Sequence, residues 1–333
     1  MFLIVCGILN STDMLKRGVL MMKRWLKSFG ILTTFGTYLI LVMGAVVTKT
    51  ESGEGCGDSW PLCHGELIPS SVNLELVIEY SHRIVSGIVG LLVLIFAIWA
   101  VAAMRKSRAV KWFAIGSVFF IAFQGALGAM AVVFGQSDAV LALHFGFSLL
   151  CFTCVLLLTM LVFRGDQPHE VRLTDVTDSF RYLIWSAAVF IYLVVYTGAY
   201  VRHADASMGC ADWPLCNGQL IPPLSGIEGI QFGHRVAAAL SFIFIAYITY
   251  VAIRHYRDRK DVYWGSVASF ALIVLQVVSG GLTVLTGIQL MVSIVHTTIV
   301  SFLFGVMCYM AFQVRKPAGQ RQGGMIETKR VLT

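Results

Sequence analysis

Eight apolar segments separated by polar stretches dominate the pattern of hydrophobic and polar positions along this chain. Each segment is long enough to cross a bilayer hydrocarbon layer of roughly 30 Å as an α-helix. We predict membrane-spanning helices at 28–48, 75–103, 112–134, 139–163, 182–201, 228–253, 262–286 and 289–313. All seven prolines fall in loops or in the C-terminal tail, so the helices are expected to run without interruption. The predicted fold class is an all-α polytopic membrane protein.

The composition agrees with this class, because 57% of the residues are hydrophobic and only 13% are charged. A net charge of +7 suggests an acidic partner such as nucleic acid, but its distribution favours another explanation. Twenty-one of the 25 lysines and arginines lie in the two termini and in alternate loops, as expected for cytoplasmic segments. We therefore expect a lipid bilayer and no nucleic acid as partner, a cell-membrane location, and cytoplasmic termini.

The chain also contains an internal repeat. The stretches WPLCHGELIP at 60–69 and WPLCNGQLIP at 213–222 agree at eight of ten positions, which indicates a duplication. Each copy contains four predicted crossings, so the copies share one orientation and should be related by a pseudo-two-fold axis along the membrane normal. The predicted organisation is a cytoplasmic N-terminal extension (1–27), a first four-helix-bundle repeat (28–163), a cytoplasmic linker (164–181), a second repeat (182–313) and a cytoplasmic tail (314–333).

The first ten residues are apolar but too short to span a membrane, and no cleavage site of small residues follows them. Met21 and Met22 stand directly before Lys23 and Arg24. Our hypothesis is that translation naturally starts near Met21 and that residues 1–20 are a dispensable, poorly ordered extension. The intact mass of natively expressed protein tests this hypothesis, and a full-length mass would reject it.

Four histidines recur at matched positions in the two copies. His82 and His144 are 62 positions apart, as are His234 and His296, and the two pairs are offset by 152. Each lies near the start of an apolar segment, where a buried titratable ring without a partner is costly. A hydrogen-bonded core histidine explains one such residue better than four. Imidazole binds iron well, so we expect each pair to ligate one haem in the outer half of the membrane.

Two predicted outer loops carry paired cysteines, Cys56 with Cys63 and Cys210 with Cys216. Disulfides persist in the extracytoplasmic space, where the alternation of positive loops places these segments and the nearby histidines. The short spacings favour closure within each loop, with pairing between loops as the alternative.

The residues EYSHR at 79–83, FGHR at 232–235, the later histidines and the two cysteine loops together resemble haem A synthase. The resemblance covers essentially residues 22–315 and is greatest to the bacterial type with cysteine pairs in both outer loops. It implies oxidation of the C8 methyl group of haem O to a formyl group, which supplies haem A to terminal oxidases. It also implies haem O synthase and oxidase-assembly proteins as partners, and a redox role for the first cysteine pair.

The two copies differ next to their first histidine, where Glu79 of the first copy corresponds to Gln231 of the second. We expect Glu79 to be catalytic, by stabilising positive charge at the haem methyl carbon or by accepting a proton. The structural alternative is a hydrogen bond that orients His82.

The same asymmetry predicts two different haem sites. The first half should bind the substrate haem O between His82 and His144. The second half should hold a resident haem b, ligated through its iron by His234 and His296, because the neutral Gln231 suits a passive cofactor pocket.

Two other classes of protein share part of this pattern. A bis-histidine di-haem cytochrome b, which carries electrons between quinol and an outer acceptor, has no evident need for the difference between Glu79 and Gln231. A transporter more often has helices broken by glycine or proline at the membrane midplane, and that pattern is not seen here. The sequence does not identify an electron donor or acceptor.

Overall fold

A computed structural model describes residues 2–70, 72–135, 137–165 and 176–315, with side chains described from residue 23 onward. Within these residues lie eight α-helices: α1 (Phe2–Lys49), α2 (Leu74–Ala103), α3 (Arg108–Val133), α4 (Asp138–Arg164), α5 (Asp178–His203), α6 (Gly226–His255), α7 (Lys260–Leu285) and α8 (Leu290–Gln313). Each contains a stretch long and apolar enough to cross a membrane. The predicted all-α polytopic membrane fold is confirmed.

Helix α1 extends well beyond its predicted start. Its membrane-compatible part is Lys23–Lys49, which agrees with the predicted first span. The hypothesis that translation begins near Met21 falls on residues whose side chains lie outside the described part of the chain.

Two helices begin earlier than the hydropathy pattern predicts. Both α3 and α5 begin four residues before their predicted positions. The hydroxyl of Ser107 accepts a hydrogen bond from the backbone N–H of Val110 at 3.3 Å, and Thr177 caps Phe180 at the same distance. Such caps stabilise a polar first turn. The apolar pattern therefore marks the membrane part of a helix, whereas the cap marks its beginning.

Helix contacts follow the same scheme in both parts of the chain. Helix α1 packs on α2 and α4, and α3 packs on α4; likewise α5 packs on α6 and α8, and α7 packs on α8. The two sets meet mainly through α4 with α5 and α1 with α8. Helix α4 is the most enclosed, with 61% of its apolar window buried against 22–39% for the other helices. The pseudo-two-fold relation and the proposed domain boundaries remain predictions.

The largest apolar core lies where the two sets of helices meet. Its fully enclosed members include Leu149, Phe152, Ile184, Ile248 and Met307. Because lipid tails are as apolar as these side chains, close packing rather than exclusion of water holds the helices together. Many apolar residues on the outer faces remain exposed, as a lipid-facing surface requires.

Both cysteine loops, residues 50–73 and 204–225, lie at one end of the bundle, which we call the cysteine-loop end. Helices α2, α4, α6 and α8 all begin at this end. The first three turns of these helices are therefore the part nearest the loops, and they carry the four histidines. The assignment of this end to the extracytoplasmic side remains a prediction.

Candidate active site

Each of the four partly buried histidines faces a glycine on the preceding helix. The pairs are His82 with Gly44, His144 with Gly128, His234 with Gly198 and His296 with Gly280. A Cβ atom at these glycines would lie 3.4, 3.1, 3.0 and 3.1 Å, respectively, from the Cε1 atom of the ring. A side chain at Gly128, Gly198 or Gly280 would therefore force the ring to move by a few tenths of an ångström, whereas at Gly44 it would make an ordinary contact. We did not predict these glycines, although they occupy matched positions in the two halves.

The structure brings the predicted histidines together in pairs. His82 lies within electrostatic range of His144, and His296 lies within range of His234. Among the described residues, no group of three or more His, Cys, Asp or Glu side chains could hold a metal ion. Two imidazoles suit haem iron, because the porphyrin itself supplies the other four nitrogen ligands.

Hydrogen bonds at Nδ1 define the tautomer of three histidines. His144 Nδ1 lies 2.8 Å from the carbonyl oxygen of Gln124, which can only accept a hydrogen bond. Thr197 donates its hydroxyl hydrogen to Val194 O, so its oxygen accepts from His234 Nδ1 at 2.8 Å. These contacts place the ring proton on Nδ1 and leave the Nε2 lone pair available for a metal.

His296 also carries its ring proton on Nδ1, but its Nε2 accepts a hydrogen bond from Gln276, whereas no contact among the described residues defines the tautomer of His82. Ser279 donates to Gln276 O and therefore accepts from His296 Nδ1 at 2.9 Å, while the Gln276 amide contacts His296 Nε2 at 3.0 Å. His82 Nδ1 is buried and has no hydrogen-bond partner among the described residues. Both histidines of the second half are thus oriented by hydroxyl groups, and the first histidine of the first half is not.

Two glutamines at matched positions, Gln124 on α3 and Gln276 on α7, form hydrogen bonds between helices. Gln124 Oε1 accepts a hydrogen bond from Ser148 on α4, whereas Gln276 turns to His296 on α8. A serine beside His144 draws the first glutamine away from the ring. Val300 occupies the position equivalent to Ser148 and offers no such bond, so the second glutamine reaches its histidine.

A groove of about 470 Å³ opens beside the first histidine of the second half. It lies between α5 and α6 and is lined by Tyr196, Thr197, Tyr200, Gly229, Ile230, Gly233 and His234. A Cβ atom at Gly233 would face open space, whereas at Gly229 it would collide with the backbone of Leu224, so Gly229 allows the chain to pack closely beside the groove. Such a lining, mostly apolar with one ligating nitrogen, matches the chemistry of a haem face.

The carboxylate of Glu79 is only 4% exposed and binds the first cysteine loop. Its Oε2 accepts the backbone N–H of Cys56 at 2.8 Å, and its Oε1 forms an ion pair with Arg83. Neither contact involves His82, whose Nδ1 has no partner in the described chain. The structure therefore contradicts the alternative in which Glu79 only orients His82 by a hydrogen bond.

Gln231 occupies the same structural position in the second half. Its Oε1 accepts the backbone N–H of Cys210, and its Nε2 donates to Ser207 O at 2.9 Å. A neutral amide therefore satisfies the half-cystine N–H as well as a carboxylate does. The negative charge of Glu79 is not required to hold the loop.

Both predicted disulfides, Cys56–Cys63 and Cys210–Cys216, are present in the structure. Each closes a similar turn, in which Cys63 exchanges backbone hydrogen bonds with Glu66 and Cys216 does so with Gln219. The residue after each turn cysteine has a positive φ and is followed by a glycine that also has one. The prediction of closure within each loop is confirmed.

Two arginines fasten these loops to the helices that carry the histidines. Arg83 Nη1 donates to the carbonyl oxygens of Ser59 and Leu62 at 2.7 and 2.8 Å. Arg235 donates to Leu215 O and Cys210 O at 2.5 and 3.1 Å. Both side chains are therefore directed to loop carbonyls.

The second loop has an additional anchor. The backbone N–H groups of Gly218 and Asn217 donate to the Asp212 carboxylate at 2.7 and 2.6 Å. These bonds, that from Gly218 foremost, stabilise the charged form and hold the pKa of Asp212 below its usual value. The equivalent position in the first loop is Ser59, whose hydroxyl accepts from Gly65 N at 3.2 Å.

The model of the COX15-CtaA family, described as cytochrome oxidase assembly protein, matches residues 27–308. The chain belongs to this family. The match includes most or all of each of the eight membrane-compatible helices, both cysteine loops and the four histidines.

Curated relatives in several bacteria carry the name heme A synthase. The protein of Halalkalibacterium halodurans is 48% identical over 289 residues, which cover 87% of this chain and 97% of the relative. The protein of Lysinibacillus sphaericus is 43% identical over 295 residues, covering 88% and 96%, respectively. That of Geobacillus kaustophilus is 45% identical over 289 residues, covering 87% and 91%. The resemblance to haem A synthase is confirmed.

Proposed function

We propose that this chain is an oxidoreductase of haem A biosynthesis that oxidises the C8 methyl group of haem O to the formyl group of haem A. The relatives named heme A synthase support this function and do not favour an electron-carrying cytochrome b. The observation that carries the proposal is the contrast between Glu79 and Gln231. Both bind a half-cystine N–H beside a haem-ligand candidate, but only one is charged.

Glu79 would serve the reaction as a fixed carboxylate in a poorly hydrated region. Its ion pair with Arg83 fixes the side chain at this buried position. A carboxylate held there can stabilise positive charge that develops at the methyl carbon or accept the proton that leaves it. Because Oε2 is held by Cys56 N–H, the acid also touches the first disulfide loop directly. Gln231 makes the equivalent contact in the second loop, so only the first disulfide loop has an acidic side chain at this position. This difference supports a redox role for Cys56–Cys63 and a structural role for Cys210–Cys216.

The two halves would hold different haems. The repeat 28–163 would bind the substrate haem O between His82 and His144, and the repeat 182–313 would hold haem b between His234 and His296. A resident cofactor benefits from ligand rings fixed at Nδ1, as Thr197 and Ser279 fix the second pair. An exchanging substrate is better served by a ring such as His82, whose Nδ1 is unbound within the described chain. Haem b, when bound, supplies one-electron redox chemistry.

The surroundings of the protein follow from the same proposal. Cytoplasmic segments would be 1–27, 164–181 and 314–333, which places the histidines and cysteine loops toward the extracytoplasmic side. Haem O synthase would deliver the substrate, and oxidase-assembly proteins would accept the product. The electron carriers are not assigned.

Product analysis tests the function. The chain, expressed in cells that make haem O but lack other haem A-forming activity, should yield haem A and its alcohol intermediate on extraction and chromatography. Haem b alone at two equivalents would instead support an electron carrier. For the haem assignment, substitution of His234 or His296 should abolish a low-spin bis-histidine haem b spectrum. Loss of haem b only on substitution of His82 or His144 would show that the halves are reversed.

A further inference from the structure

Two basic side chains meet at the cysteine-loop end, on the boundary between the two sets of helices. Lys49 is the last residue of α1, and Arg202 lies in the last turn of α5. Arg202 Nη2 donates to the carbonyl oxygen of Thr48 at 2.9 Å, which ties α5 to the end of α1. The guanidinium is therefore fixed next to the lysine.

The charge of this pair is poorly balanced. Lys49 is partly buried and has no carboxylate partner within the described ranges, and it is repelled by Arg202. Arg202 lies 3.6 Å from Glu51 and 3.8 Å from Asp205, whose side chains are 84% and 92% exposed. Ion pairs with such solvated carboxylates contribute little. A partly desolvated ammonium without a counter-ion is costly, so the site favours binding of an anionic group other than these two carboxylates.

The helix geometry places Lys49 and Arg202 near the histidine pair of the second half, His234 and His296. Tyr38 on α1 shares a hydrogen bond of 3.0 Å with Thr298 on α8, so this face of α1 packs on α8. Lys49 follows Tyr38 by three helical turns, on the same face and about 16 Å nearer the cysteine-loop end. His296 precedes Thr298 by two residues, and its ring interacts electrostatically with Lys49. The lysine therefore lies at the rim above His296.

We propose that Lys49 and Arg202 form a carboxylate-binding subsite for the propionates of the haem held between His234 and His296. This inference rests on the haem b assignment proposed above. Propionates are the only anionic groups of the macrocycle and lie on one edge of it. A guanidinium fork binds a carboxylate in two places, and the ammonium supplies a second charge. A residue of the first half thereby completes the haem site of the second half.

Haem b and its dimethyl ester, which lacks both carboxylates, provide the probe. The full-length chain carrying His82→Ala, which confines bis-histidine spectra to the second half, is produced under haem limitation in phosphatidylcholine nanodiscs. Each haem is titrated and read from the low-spin absorption. This parent should bind haem b about tenfold more tightly than the ester, the effect of one good charge-assisted contact. Lys49→Gln should reduce that preference to about twofold or less.

Lys111→Gln is the matched control, because it removes one exposed lysine from the opposite end of the bundle and should keep the full preference. Equal affinities of the parent for the two haems, or an unchanged preference in Lys49→Gln, would overturn the subsite alone. A Lys49 effect seen only after phosphatidylglycerol is added would assign the cations to a lipid phosphate and also overturn it. A parent without any bis-histidine spectrum would overturn the haem b assignment, and the subsite with it.

Discussion

Replacement of Glu79 by glutamine separates the charge of this residue from its hydrogen bonds. The new amide oxygen can still accept the N–H of Cys56, since Gln231 does the same for Cys210. The ion pair with Arg83 is lost, but Arg83 keeps its bonds to Ser59 O and Leu62 O. The stability cost should therefore stay within the value of one charge-assisted hydrogen bond, about 1.5–3 kcal/mol. The protein should fold and retain haem.

The catalytic cost should be much larger. A positioned acid–base group contributes roughly 10²–10⁴-fold, so formation of haem A should fall at least about 100-fold in Glu79→Gln. The assay is chromatography of extracted haems, normalised to protein level and to the low-spin haem b signal. Arg83→Gln breaks the ion pair but leaves the carboxylate, so it should lose less activity than Glu79→Gln. Near-normal haem A formation by Glu79→Gln at unchanged haem occupancy would refute a catalytic role.

Three further predictions concern the supporting residues. Thr197→Val removes the hydrogen-bond acceptor of His234 Nδ1, so it should shift the midpoint potential of haem b in a spectroelectrochemical titration. The control variant Thr286→Val removes an exposed hydroxyl outside the site and should leave the potential unchanged. Alanine at Gly198, Gly280 or Gly128 should lower haem occupancy more than alanine at Gly44, because the added Cβ has the most room at Gly44. Haem occupancy is measured as pyridine haemochrome per protein. Equal effects at the four glycines would refute the steric argument. Cys210→Ser should lower the free energy of unfolding by about 2 kcal/mol but leave haem A formation per folded protein unchanged. Cys56→Ser should lower both the free energy of unfolding and haem A formation per folded protein.

The sequence was sufficient to predict the helices and the residues with distinctive chemistry. The apolar pattern located the eight spans found in the described part of the chain, because a bilayer demands long uninterrupted helices. The internal sequence match singled out the histidines, Glu79 and both cysteine pairs as candidates, since residues matched in two segments are less often chance occurrences. These features depend only on the composition of the chain and on the spacing of residues along it.

The partners of these residues could not be predicted, because they depend on how separate helices face one another. Nothing in the spacing of Thr197 or Ser279 indicates that their hydroxyls meet a histidine ring on another helix. The contact of Glu79 with Cys56 N–H likewise depends on the path of a loop across 23 positions. A close reading of matched glycines would have been informative, since Gly128 and Gly280 share the offset of the histidines.

The shared contact of Glu79 and Gln231 has an evolutionary consequence. A backbone N–H requires only an oxygen acceptor, and an amide and a carboxylate supply one at the same distance along the side chain. Glutamate and glutamine codons differ by a single base. Under the proposed duplication, either copy can thus gain or lose the acid in one mutational step, without rebuilding its loop. The proposed division of labour between the halves is open to selection on chemistry alone.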